Sequence, residues 1–214
     1  MGKGASAPFF CFPLGHNGPM ELLWLGMLGA ALLAYYLERR RKEQEAGVVL
    51  SFSGGYVLRK RGIPYRLSGQ DGFSPLFRLV WLRRETAEGR TLKDIALAAH
   101  EAAHALRFAR GERWAWVAYH VLILRWMLLG SGLTLSFLLN PAAIGVLALA
   151  FGVGLLFIPE EEATSAEALL ILREEGLGEG ELEQARRLLE AYGQSYWLVP
   201  LVALALLGGQ ATGE

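Results

Sequence analysis

The chain has 214 residues, of which 53% are hydrophobic, so it is more apolar than an ordinary soluble domain of this length. Its formal net charge of zero excludes an overall electrostatic attraction to nucleic acid. Its single cysteine, Cys11, excludes an internal disulfide and any site built from several cysteines.

The apolar residues are concentrated in four stretches instead of being spread along the chain. Each stretch is near the length of about 20 residues that spans a hydrocarbon core of about 30 Å. The stretches are 20–37, 114–139, 141–159 and 192–208. We therefore predict four transmembrane helices.

The first apolar stretch has the alternative interpretation of a cleaved signal peptide. Only Lys3 precedes it, whereas signal peptides usually begin with several basic residues. It ends in Tyr35 and Tyr36 and is followed by four consecutive basic residues, 39–42. Aromatic and basic residues at such an end are typical of a membrane anchor that is retained.

The basic residues predict the orientation of the chain in the membrane. Most of the 21 Lys and Arg residues lie between residues 39 and 113, and none follows residue 208. Loops that are rich in Lys and Arg stay in the cytoplasm. We therefore expect residues 39–113 to be cytoplasmic and both termini to lie outside.

Short strands and one long helix are predicted within this basic segment. Residues 48–52 and 77–82 are β-branched or aromatic runs bounded by Gly, Ser and Pro, which is typical of strands. Thr91 and Asp94 match a capping box, so a helix should run from Leu92 to about Ala109, and Gly111 supplies a stop. We expect the strands to form a small layer on this helix.

Residues 100–104 of the predicted helix read HEAAH, an H-E-x-x-H motif. His100 and His104 are four residues apart, so both imidazoles lie on one face of the helix, where they can share a zinc ion. Glu101 can take a proton from a zinc-activated water and pass it to a leaving amine. The alternatives are a solvent-exposed polar face or a catalytically dead metal site. The apolar surroundings favour zinc, because buried polar groups need a partner.

A catalytic zinc normally has three protein ligands and one open position. His16 precedes the first span on the opposite side, and His120 lies within the second span, so neither is well placed. The acidic run 160–162 is better placed, because two membrane crossings return the chain to the cytoplasmic face. This run opens a segment, 160–191, that we interpret as two helices interrupted at residues 176–180.

Several of these motifs resemble those of the YugP-like neutral zinc metallopeptidases of bacterial membranes. The family pattern H-E-x-G-H-A is matched by HEAAHA at 100–105, and P-x-E-x-x-x-S-x-x-A is matched at 159–168. The resemblance extends to the order of anchor, motif helix, two spans, acidic helix and last span. It implies Glu161 as the third zinc ligand, with Pro159 before it and Ser165 after it.

The chain departs from the family pattern at three positions. Ala103 replaces a family Gly, and an upstream D-H-Y-D-P is reduced to DGFSP at 71–75, with Gly72 and Ser74 as replacements. The zinc motif survives these changes. Any role of the upstream motif in substrate binding or in a second metal site is put in doubt.

Further polar residues have two interpretations each. Arg125 lies roughly 16 Å into the second span, so it either has no special role, through snorkelling to the surface or a different register of the span, or it faces an aqueous cavity. Tyr192, Ser195 and Tyr196 open the last span, where a Tyr either anchors at the interface or stabilises an oxyanion. The run 77–82 is either an edge strand that binds an extended peptide or a core strand. Five arginines are interpreted as headgroup contacts: 83, 84, 107, 110 and 113.

Together these observations predict a mainly α, multi-pass protein of the cell membrane, with about four transmembrane helices and a zincin-like cytoplasmic catalytic region that carries a small β element. The predicted segments are 1–38 with the first anchor, 39–113 with the motif helix, 114–158 as a transmembrane hairpin, 159–191 with the third ligand, and 192–214 with the last span and tail.

The predicted function is an endopeptidase with one Zn²⁺ per chain, held by His100, His104 and Glu161, and with Glu101 as the general base. The expected partners are protein or peptide substrates and the lipid bilayer, and no nucleic acid is expected. The sequence leaves open whether the protein also binds membrane-protein partners or forms a homo-oligomer. The alternatives are an HtpX-like quality-control peptidase, whose family favours Asp where this chain has Ser165, and a zinc-stabilised scaffold without activity.

Overall fold

A computed structural model describes residues 18–137 and 142–194. This part of the chain is mainly helical and contains a small three-stranded sheet. The helices before and around the sheet are α1 (Gly18–Glu45), α2 (Gly54–Lys60), α3 (Arg84–Glu88) and α4 (Leu92–Ala109). The strands are β1 (Tyr65–Leu67), β2 (Gly72–Ser74) and β3 (Leu79–Leu82). The later helices are α5 (Arg113–Phe137), α6 (Ala142–Gly154), α7 (Ile158–Glu174) and α8 (Glu179–Gly193), and a 3₁₀ turn, Leu155–Phe157, joins α6 to α7.

The prediction of a strand at residues 48–52 is wrong. Val49 forms only an isolated bridge with Thr91, and the backbone amide of Leu92 donates to the Val48 carbonyl over 2.7 Å. This segment therefore runs beside the start of α4 and has no partner strand long enough to form a ladder. The helix α2 follows it immediately after Ser53, in a region where the sequence analysis predicted no helix.

The second predicted strand, 77–82, is confirmed from Leu79 onward as β3. It is the central strand of the sheet, with β1 parallel on one side and β2 antiparallel on the other. The edge interpretation of this run is therefore wrong, and the core interpretation is correct, because Val80 and Leu82 are fully buried. Leu76 and Phe77 lie in the exposed β2–β3 turn.

The motif helix α4 has the predicted bounds and lies at the centre of the packing. The Thr91 hydroxyl accepts from the Asp94 amide, and the Asp94 carboxylate accepts from the Thr91 amide, as the capping box predicts. Its alanines let neighbouring backbones approach closely. A Cβ added at Gly54 of α2 would lie only 2.9 Å from the Ala98 Cβ, so this contact requires both small residues.

Helices α5 and α6 form an antiparallel pair. Gly132 of α5 allows the close approach, since a Cβ there would lie 2.7 Å from the Leu147 side chain of α6. Within the described residues one helix, Arg113–Leu135, is long and apolar enough to cross a membrane, by length and composition only. Most of the fourth predicted span falls outside the described residues, so the number of spans stays a prediction.

The acidic segment folds into two helices, α7 and α8, as predicted. Gly176 ends α7 with φ of +89°, a conformation that favours glycine, and Gly178 begins α8. Helix α8 contacts α1, where the Tyr192 hydroxyl donates to Glu43 over 2.7 Å and the Arg39 guanidinium lies over the Tyr192 ring. Ser195 and Tyr196, which were weighed with Tyr192, lie outside the described residues.

Candidate metal centre

The two motif histidines lie on the face of α4 that packs against α7. Their ring centroids are 4.8 Å apart and their planes are almost perpendicular. This placement follows from the sequence, because residues four apart on a helix are neighbours on one face.

Helix α7 brings Glu161 between the two imidazoles. His100 Nε2 lies 3.1 Å from Glu161 Oε2, and His104 Nε2 lies 3.6 Å from Glu161 Oε1. Zinc bonds of about 2.1 Å in a tetrahedral site separate two ligand atoms by roughly 3.4 Å. The three side chains each offer a ligand atom within 4.8 Å of the others, so the donor set fits a zinc ion.

The remaining ring nitrogens have hydroxyl partners from the same helix α7. His104 Nδ1 lies 3.2 Å from Thr164 Oγ1, and His100 Nδ1 lies 3.4 Å from Ser165 Oγ. A hydroxyl that accepts the Nδ1–H holds the imidazole in the tautomer whose Nε2 is free to bind a metal. Ser165 belongs to the acidic-helix motif, whereas Thr164 was not identified from the sequence.

The neighbouring acids of the run 160–162 have different surroundings. Glu160 is buried behind His104, where it accepts from Thr164 Oγ1 over 3.2 Å and from the Arg107 guanidinium over 3.1 and 3.2 Å. Glu162 is exposed. Of the three acids, Glu161 alone faces both imidazoles, because each residue turns a helix by about 100°.

Arg107 is not a headgroup contact, contrary to the sequence interpretation. It is buried and pairs with Glu160 and with Glu112. Arg83 and Arg110 also pair with acids, Asp71 and Glu167 respectively, but both side chains are partly exposed, so their role as headgroup contacts stays a prediction. The sequence signal for Arg107 was its position three residues after His104, on the side of α4 that faces α7.

Charges in the cluster shift the protonation of its members in the metal-free protein. Burial opposes the charged form of His104, but the Glu161 charge and bonds to Glu160 and Glu161 outweigh it and raise the pKa of His104 to about 10. Burial likewise opposes ionisation of Glu161, yet the two imidazoles hold the pKa of Glu161 below its usual range. For Glu101 burial dominates and raises the pKa.

A cleft of about 250 Å³ opens beside this cluster. Glu101, His104 and Glu161 line it together with the β2 residues Gly72 and Phe73. Asp71, which begins the reduced upstream motif, also lines the cleft. Its carboxylate accepts from the Arg83 backbone and guanidinium and from the Thr86 hydroxyl, so this residue holds the start of β2 in place.

The other histidines do not join the cluster in the described structure. His120 is exposed on α5, and its Nδ1 lies 2.8 Å from the Trp116 carbonyl oxygen one turn earlier. His16 lies outside the described residues.

A helix pair that presents two histidines and a glutamate around one point defines a candidate zinc centre of the H-E-x-x-H type. The chain matches, over residues 63–209, the family model described as "Putative neutral zinc metallopeptidase". The match covers more than half of the chain, and the protein belongs to this family of zinc metallopeptidases. No curated protein and no solved structure gives a significant match.

Proposed function

We propose that this protein is a membrane-embedded, zinc-dependent endopeptidase with its active site on the cytoplasmic side. The observation that carries the proposal is the convergence of His100, His104 and Glu161 on one point beside a cleft that Glu101 also lines. Family membership supports the reaction class and the metal.

In this proposal the two histidines and Glu161 would hold one zinc ion, which would act as a Lewis acid, polarising the scissile carbonyl and lowering the pKa of water. Glu101 acts as general base toward the attacking water and then delivers the proton to the leaving amine. Its place in the cleft beside His104 suits a group that both accepts and returns a proton. Thr164 and Ser165 keep both imidazoles oriented.

Strand β2 is the element that we expect to align the substrate. It pairs with β3 on one side only within the described residues, and two of its residues, Gly72 and Phe73, line the cleft. An extended peptide can add to such an edge through main-chain hydrogen bonds. Gly72 favours this approach, because nothing lies within 4 Å of where its Cβ would be.

The membrane location is supported by the surface of α5. Large apolar side chains there are exposed, with Trp126 at 67% and Met127 at 65%, and water is a poor solvent for such a surface. The cytoplasmic location of 39–113 and 159–191 rests on the basic residues of the first of these segments.

The test is a comparison of zinc content and casein hydrolysis in purified protein. We expect about one zinc per chain and hydrolysis that a chelator abolishes. Glu101→Gln should retain zinc and lose hydrolysis, because an amide keeps the shape of the side chain but cannot accept a proton. The double variant His100→Ala/His104→Ala should lose the metal as well.

Two results would contradict the proposal in different ways. Parental hydrolysis by Glu101→Gln would remove Glu101 as the base. Full zinc content in the parental protein without cleavage of casein or of any peptide in a library would favour the zinc-stabilised scaffold instead.

A further inference from the structure

Arg125 of α5 faces the cleft of the candidate metal centre. It lines the same cleft as Glu101, His104 and Glu161, and the apolar side chains of Leu122 and Phe157 line this cleft as well. Of the two sequence interpretations, the structure therefore supports the one in which this arginine faces a cavity.

Gly154 gives the guanidinium its room. A Cβ added at Gly154 would lie 3.4 Å from Arg125 Cζ and 3.5 Å from Nε, so the guanidinium lies against the backbone near the end of α6. A long side chain at this position would occupy the same space. The orientation of Arg125 into the cleft is therefore built into the contact between α5 and α6.

Arg125 has no acidic partner in the described part of the chain. Its Nε is buried and has no hydrogen-bond partner. Two carboxylates of the cleft are already paired with other guanidinium groups, Glu160 with Arg107 and Asp71 with Arg83. A cation in such apolar surroundings is costly unless an anion joins it. Arg125 thus lines the cleft as a cation that forms no ion pair with any of the four carboxylates lining it.

We propose that Arg125 is a specificity residue that binds a carboxylate of the substrate peptide. The inference rests on the proposed peptidase function, because it places the substrate in the cleft beside Glu101. A guanidinium matches a carboxylate with two parallel hydrogen bonds, and the apolar walls strengthen the pair. This carboxylate is either the free C-terminus of the peptide or the side chain of an Asp or Glu residue.

The test measures binding separately from hydrolysis. The probes are fluorescently labelled peptides in two kinds of matched pair. In the first kind, the two peptides differ only in having a free or an amidated C-terminus. In the second kind, they differ only in having Glu or Gln at one internal position, and each internal position is tested in turn. Binding is followed by fluorescence anisotropy with zinc-loaded Glu101→Gln protein in detergent, so that no probe is cleaved. Further variants in this background are Arg125→Gln, Arg125→Lys and the control Arg113→Gln, which removes an exposed charge from the start of the same helix.

We expect one carboxylate peptide to bind about 10- to 100-fold more tightly than its neutral partner. Arg125→Gln should abolish this preference and leave the affinity for the neutral peptide unchanged, whereas Arg125→Lys should retain part of it. Arg113→Gln should retain all of it. The pair that shows the preference identifies the source of the carboxylate.

Three results would overturn the inference. The first is the absence of a charge preference in both pairs, and the second is a preference that persists in Arg125→Gln. The third is an equal loss of affinity for charged and neutral peptides, which indicates a structural role.

Kinetics with Glu101 restored distinguish specificity from catalysis. If Arg125 binds a remote carboxylate equally in the ground and transition states, its replacement raises KM for the charged peptide only. If Arg125 instead stabilises the oxyanion, its replacement lowers kcat for every peptide. A kcat effect on all substrates would therefore refute the specificity role. Failure of the parental protein to cleave any peptide would refute the proposed function, and the binding data would still decide the inference.

Discussion

Replacing Arg107 with methionine tests whether the layer behind the histidines stabilises the site. The side chain of Arg107 is buried, and its guanidinium is bonded to Glu160, which is only 2% exposed. Methionine keeps most of the apolar stem and removes the charge. The change leaves Glu160 as a buried carboxylate that retains the hydrogen bond from Thr164 and the neighbouring His104, whose Nδ1 lies 3.8 Å away.

The expected magnitude follows from this burial. Removing one partner of a buried ion pair costs about 3–5 kcal/mol, and the remaining Thr164 bond favours the lower end, about 3 kcal/mol. For a chain of this length that corresponds to a fall in Tm of about 6 to 12 °C. The neighbouring control, Arg110→Met, removes a 46% exposed guanidinium whose ion pairs contribute about 0–1 kcal/mol.

The assay is thermal unfolding of both variants in detergent, followed by circular dichroism, together with a zinc competition titration. Arg107→Met should also weaken zinc binding about tenfold or more, because Glu160 supports His104 through Thr164. The double variant Arg107→Met/Glu160→Met should regain stability relative to Arg107→Met. Equal destabilisation by Arg107→Met and Arg110→Met, or no recovery in the double variant, would refute the reasoning.

Three further predictions concern the metal and the membrane. Among the single Gln variants of the acidic run 160–162, Glu161→Gln should weaken zinc binding most, and a larger loss at either neighbour would show that the register is wrong. Because the raised pKa of His104 keeps it protonated at neutral pH, zinc must displace a proton, so apparent affinity should rise about tenfold per pH unit between pH 6.5 and 8.5; a pH-independent affinity would contradict this. In a Cys11→Ser background, cysteines at the exposed positions Gly69 and Gly178 should resist labelling from outside intact cells, and labelling there would overturn the cytoplasmic assignment.

The candidate site was predictable from sequence where the signal was local. The histidine spacing and the Thr91–Asp94 cap depend on residues within one helical turn, so α4 has its predicted bounds. The choice of Glu161 needed the family spacing in addition, since three consecutive acids are equivalent in composition. The strand prediction at 48–52 failed because a strand needs a partner strand, and this segment pairs only with residues 90–92, where the chain enters α4.

By itself, the sequence determined the zinc-type motif, its helix, the two helices of the acidic segment and the concentration of apolar residues. Each of these features depends only on the spacing or composition of residues that are close together in the chain. Only the tertiary structure decided which partners polar side chains find across the fold. Arg107 and Arg125 are both arginines flanked by apolar residues, yet the first meets Glu160 and the second meets an open cleft. That difference arises from the packing of α4 and α5 against the segment from the end of α6 into α7, and a contact between residues distant in the chain has no local signature.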